Sequence, residues 1–151
     1  MKQKFLIIIS ILLLTSSCQK KRNLDGNYFT CQNGEYTEVY FKNDSMRIAS
    51  DNDWIKLSEW RKIDVKYDSL FFTTFGEWKN FSKAKIKYLE GNKIQLWIFE
   101  TGENIYLKPI NEKLNFKIKK DFWYGFHDRK IIQIVNNIKK RWVTTAIIHC
   151  C

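Results

Sequence analysis

Between Lys83 and Leu89 apolar and charged residues alternate with a period of two. Ala84, Ile86 and Tyr88 fall on one side, and Lys83, Lys85 and Lys87 on the other. A strand with one face buried and one face wet produces that contrast. The turn Glu90-Gly91-Asn92 follows, and Lys93 to Phe99 then sets Ile94, Leu96 and Ile98 against Gln95, Trp97 and Phe99, which completes a hairpin. Beyond Thr101-Gly102-Glu103-Asn104, Ile105 and Leu107 alternate with Tyr106 and Lys108 until Pro109 removes a backbone donor and ends the ladder.

Upstream the same rhythm predicts strands over residues 28–31, 35–42, 45–50, 60–67 and 69–75, with a weak one over 54–57. The joints are Asn33-Gly34, Asn43-Asp44, Asp51-Asn52-Asp53, Asp68 and Gly76, residue types that tolerate turn geometry. The pattern predicts a mainly β fold, an antiparallel meander of eight or nine strands. A barrel is preferred to a sandwich because closure removes exposed edges.

After Asn111 the period lengthens. Leu114, Ile118, Phe122 and Phe126 recur every fourth residue with Trp123 beside them, which predicts one C-terminal α-helix packed outside the barrel by an aromatic stripe. Gly125 weakens that helix by about 1 kcal/mol relative to alanine. A looser continuation runs through Ile131, Val135 and Ile138, and the apolar tail from Trp142 to Cys151 reads as an added strand or as a segment outside the core.

The amino terminus reads as an address. Lys2 and Lys4 precede the apolar stretch Phe5 to Leu14, too short for the roughly 20 residues of a spanning helix, and the run has the form of a secretory signal. Thr15-Ser16-Ser17-Cys18 resembles a lipobox, the cleavage site of bacterial lipoproteins, with Leu14 one place upstream of the usual leucine. The resemblance implies lipidation of Cys18, with palmitate among the expected acyl chains, and a membrane anchor. Gln19 in place of aspartate implies the outer membrane, and the basic tether QKKRN implies its periplasmic face. The chain accordingly divides into a signal peptide (1–17), a lipidated basic tether (18–23), an antiparallel barrel (24–110), a helical segment (111–141) and the apolar tail (142–151).

Composition adjusts this picture little. The 151 residues are 44% hydrophobic and 16% aromatic with one proline, which excludes disordered and collagen-like classes. Two cations of the formal +10 belong to the leader, leaving +8 from Cys18 onward. That balance favours acidic partners such as lipid head groups or anionic glycans, and the exported address argues against nucleic acid. With Cys18 lipidated, Cys31 is left to pair with Cys150 or Cys151, and the sequence does not choose.

Leu24-Asp25-Gly26-Asn27-Tyr28, a glycine followed two residues later by an aromatic just before the first strand, resembles the opening of lipocalin-like (calycin) domains. The order of elements over 24–129 resembles that family too. The resemblance implies a barrel closed at one end by Gly26, by Tyr28 in the usual tryptophan's place and by a cation over the ring, positionally Lys108. It also implies a small hydrophobic ligand or lipid held inside, for which Phe41, Phe72, Tyr88, Trp97 and Phe99 are the candidate lining residues.

Catalysis finds little support. His127-Asp128 is an adjacent pair without a nucleophile in an elbow motif, and there is no phosphate loop and no HExxH. His149-Cys150-Cys151 lacks the spaced pairs of a zinc centre, and Asp51-Asn52-Asp53 lacks the later glycine and glutamate of a calcium loop. Asp51, Asp53, Glu59 and Asp64 would matter only if two of them faced each other in a cleft. The sequence therefore predicts a non-enzymatic protein without metal or cofactor. Two readings divide on the barrel interior. An unfilled space of about 300 Å³ or more would favour a carrier of a hydrophobic molecule; a filled barrel would favour an interaction, structural or inhibitor lipoprotein that engages an envelope protein through its surface.

Overall fold

The computed structural model describes residues 24–32, 34–52, 56–75 and 79–148. Cys18 and its tether, Asn33, Asp53, Trp54, Gly76 and the segment His149 to Cys151, with the anchor and the candidate partners of Cys31, lie outside the described residues.

Nine strands follow one another in an antiparallel meander: β1 (Gly26–Gln32), β2 (Glu35–Lys42), β3 (Ser45–Ser50), β4 (Arg61–Lys62), β5 (Asp64–Lys66), β6 (Ser69–Thr73), β7 (Phe81–Leu89), β8 (Lys93–Ile98) and β9 (Asn104–Pro109). One helix, α1 (Lys119–Ile148), follows. Their order across the sheet is β4-β3-β2-β1-β9-β8-β7-β6-β5. The first strand thus pairs with the last, and the two edges, β4 and β5, are consecutive in sequence with only Ile63 between them. The sheet rolls into a nearly closed barrel whose seam is a chain crossing rather than a ladder.

The alternation over 60–67 predicts one strand, and the structure divides it. Arg61 and Lys62 pair with Met46 and Ser45, whereas Asp64 to Lys66 pair with Phe71 to Ser69. At Ile63 the chain changes partners while the inward parity continues, with Ile63 and Val65 both buried. Ile63 donates its amide to the Asp44 carbonyl at 3.0 Å. Arg61 spans the seam, its guanidinium donating to the Thr74 carbonyl and lying 4.7 Å from the centre of the Phe75 ring. At the Asn43-Asp44 turn both residues have positive φ, 50° and 53°, the geometry of a tight hairpin. Of the weak strand expected at 54–57, the described part is an isolated bridge between Leu57 and Ala49.

Two apolar clusters lie on opposite sides of the sheet. Inside, Val39, Phe41 and Leu70 pack with Ala84, Ile86, Ile94, Leu96, Ile98 and Leu107, the last six belonging to the apolar faces that the alternation of β7 to β9 predicts. Outside, Phe29, Tyr36, Tyr40 and Ala49 meet Phe122 and Phe126 of α1. Strand β2 is buried on both faces for this reason.

The helix starts later than the stripe from Leu114 suggests. Asn115 accepts the Lys117 amide on its side chain at 3.0 Å, a local turn that competes with helix, and Ile118 is exposed. Leu114 and Phe116 still pack on the outer cluster. At its other end α1 continues through 142–148, the first part of the stretch that reads as strand or tail. Ile131, Val135 and Ile138 are exposed, so the part of the helix that packs on the barrel ends near Lys130.

Candidate functional site

Inside the barrel the side chains leave a cavity of about 310 Å³. Much of its wall is apolar, with Val39, Met46, Ile48, Leu70, Leu96 and Leu107. Thr30, Gln32, Glu35 and Thr37, at the β1–β2 turn, add polar groups to one side, and Phe72, Phe75, Ile98 and Ile105 complete the same end. The Thr30 hydroxyl is buried without a hydrogen-bond partner among the described residues. At the other end Leu24, Tyr28 and Phe41 fill the interior. An apolar wall with a few convergent polar groups is the usual composition of a small-molecule pocket, and the volume lies at the lower end of such pockets.

Of the five aromatics expected to line the interior, Phe72 does so. Phe41 is buried in the interior cluster at the packed end, where its ring meets that of Tyr28 edge-on at 5.9 Å. Tyr88 sits at the same end, 41% exposed. Trp97 and Phe99 stand on the outer face, their ring centres 4.5 Å apart, because they share the parity of Gln95 and not that of Leu96.

The closure residues come together in part. Gly26 has φ +124°, and a Cβ there would lie 3.2 Å from the Tyr28 ring, so glycine is what lets the ring fold back beneath the barrel. The Tyr28 hydroxyl donates to the Asp25 carbonyl at 3.2 Å. Lys108 does not complete this set. It is registered with Phe29, not Tyr28, and its ammonium lies 5.7 Å from the Phe29 ring centre on the outer face.

Behind the cavity wall lies a polar constellation that the sequence does not announce. Glu38, outward on β2, is fully buried beneath α1. Its Oε1 accepts from Tyr36 Oη at 2.6 Å and from Arg129 Nε at 2.7 Å, and its Oε2 accepts from Tyr40 Oη and from Arg129 Nη2 at 3.0 Å. A bidentate guanidinium and two phenols thus satisfy a carboxylate taken out of water. Burial, reinforced by the Glu38 charge, raises both tyrosine hydroxyls well above the ordinary phenol range. Burial alone would lower Arg129, but its hydrogen bonds and charge contact with Glu38 outweigh that and raise it. The readable signal was Tyr-x-Glu-x-Tyr, three polar-tipped residues on one face of a strand.

Gly125 acquires a reason here. A Cβ at that position would stand 2.9 Å from Arg129 Nη1. Alanine at a helix interior normally gains about 1 kcal/mol over glycine, yet Gly125→Ala is expected to lower the thermal midpoint because the clamped guanidinium would have to move; a rise would show the clamp to be loose.

Among the described residues the acids singled out from the sequence do not come together as a site. Asp51 pairs with Lys130, and Asp64 pairs with Lys66 at 2.7 Å on the outer face. Glu59 belongs to the segment between β3 and β4. His127 packs on Trp123 and Phe126, with ring centres 6.0 and 5.6 Å away. Among the described residues no group of three potential metal ligands comes together, and no helix is long and apolar enough to cross a membrane.

The fold and site thus define a nearly closed nine-stranded barrel with an interior cavity and a helix clamped to its outside. Comparison with protein-family models, with curated proteins and with solved structures gives no match.

Proposed function

We propose that this chain is an envelope lipoprotein, lipidated at Cys18 after loss of residues 1–17, whose lipocalin-like barrel carries a small hydrophobic molecule or lipid. The observation that carries the ligand reading is the interior cavity of about 310 Å³ with its apolar wall and polar end. A filled barrel working only through its surface would have no use for it. Gly26 and Tyr28 folded together at the packed end support the likeness to calycins. The anchor reading rests on the basic leader, the apolar run and the small residues before Cys18. Each buried acyl methylene would contribute about 0.8 kcal/mol to holding the domain at the membrane.

The test uses the full chain made in a Gram-negative host that processes lipoproteins. The lipidated protein is expected in the membrane fraction, and Cys18→Ala in the soluble one. Native mass spectrometry of the soluble form should show one co-purifying apolar molecule, lost in Ile105→Trp, where the larger ring fills the polar end of the cavity. A clean ligand-free mass together with no binding of a hydrophobic dye would sink the carrier reading; identical fractionation of Cys18→Ala and the parent would sink the anchor.

A further inference from the structure

The helix covers the outer face of β1 to β3, and the outer face of β6 to β9 carries a different surface. Lys83, Lys85 and Lys87 stand in a row along β7, outward and about 7 Å apart as alternate residues of a strand must be. Beside them lie Gln95 and Trp97 of β8 and Phe99 just past its end. Lys83 Nζ sits 4.5 Å from the Phe99 ring centre and 5.4 Å from that of Phe71. Phe71 in turn stacks on Phe81, which is 70% exposed.

Across this face lies a surface groove of about 440 Å³ lined by Asp68, Lys85 to Lys87, Gln95, Trp97 and Asn104. Gln95 Nε2 donates to Asn104 Oδ1 at 2.6 Å, which fixes both amides, and among the described residues no partner takes Gln95 Oε1 or Asn104 Nδ2. Lys85 lies 3.7 Å from Asp68. Among the described residues no acid forms an ion pair with the ammonium of Lys83 or Lys87, although Glu100 accepts the Lys83 backbone amide at 2.9 Å.

From this groove we infer a second binding site, one for an acidic oligosaccharide, separate from the interior cavity and independent of the carrier reading. A half-exposed indole offers a flat apolar surface to the C–H face of a sugar ring. The oriented amides and Asp68 supply donors and acceptors for ring hydroxyls. The lysine row faces a ligand whose negative charges repeat along its length, as in a chain of uronate or sulfated sugars, and a lone anion would use only one of its cations. A bilayer is the poorer fit. The groove is concave and carries two amides and a carboxylate, and Lys83 caps the rings of Phe71 and Phe99 that would otherwise enter lipid.

Isothermal titration of the full chain with oligogalacturonate and with a heparin-derived oligosaccharide tests the site, with dextran of equal length as the neutral comparison. At least one acidic probe is expected to bind, more weakly as salt rises, and dextran is not. Trp97→Ala should weaken binding about tenfold, the scale of one good aromatic contact. Lys87→Gln, at an exposed position that leaves the fold intact, should weaken it too and flatten the salt dependence. Ile105→Trp should leave it unchanged, which separates this site from the cavity. The inference is overturned if neither acidic probe binds, if binding is the same in the Lys87→Gln protein, or if the chain binds phosphatidylglycerol vesicles and no saccharide.

Discussion

Replacing Arg129 with methionine is expected to cost about 3–5 kcal/mol, because it leaves the Glu38 carboxylate buried without its counter-charge. Glu38 has no exposed surface, and the Arg129 side chain is only 10% exposed, so water cannot take over from the guanidinium. For a domain whose total stability lies in the range of about 5–15 kcal/mol, the melting midpoint should fall by about 10–20 °C. Changing Glu38 to glutamine in the same background removes the stranded charge while keeping an acceptor for one phenol, and should restore part of the loss. If Arg129→Met costs less than about 1 kcal/mol, the clamp is not the closed charge pair described. The constellation also sets a pH limit. Tyr36, Tyr40 and Arg129 all have raised values in the fold. The contribution of the two tyrosines is therefore complete below about pH 10, their ordinary value, and is lost as pH rises beyond it toward the folded values, whereas Arg129 keeps its charge over that range. Melting curves from pH 8 to 11 should show this loss in the parent and a smaller one in Tyr36→Phe/Tyr40→Phe.

Phe126→Ala should be nearly as severe, at about 3–5 kcal/mol. The ring is fully buried between α1 and the barrel, meeting Tyr36 edge-on at 5.2 Å and Trp123 at 5.1 Å. Its removal leaves a void that neither a strand nor a clamped helix can collapse to fill. Urea denaturation should show a lower midpoint with an unchanged slope. Because Tyr36 touches both Phe126 and Glu38, the costs of Phe126→Ala and Arg129→Met should not add. Strict additivity would mean that helix packing and clamp are separate devices.

What the sequence made legible follows from what alternation can encode. Strands β7 to β9 were readable because lysines on one face and aliphatics on the other leave a single parity. The same parity put Trp97 and Phe99 outside, and only Phe72 of the proposed lining reached the cavity. The break at Ile63 was hidden because inward positions continue across it while hydrogen-bond partners change, and partners leave no mark on hydropathy. Glu38 was hidden for the converse reason. A charge on an alternating strand reads as solvated until a helix from 91 residues away covers it. Lys108 missed Tyr28 by one residue of register, which in a strand is a change of face.

The two edges of the sheet are only two and three residues long, β4 and β5. An exposed edge is a template on which another chain can add a strand, and its danger grows with the length of unpaired backbone it presents. Here Arg61 and its contacts to Thr74 and Phe75 occupy the gap between the edges. A protein held at high local density on a surface would gain from such economy, since neighbours meeting side by side find almost no backbone to recruit. Resistance to ordered aggregation is thus built into the place where the barrel fails to close.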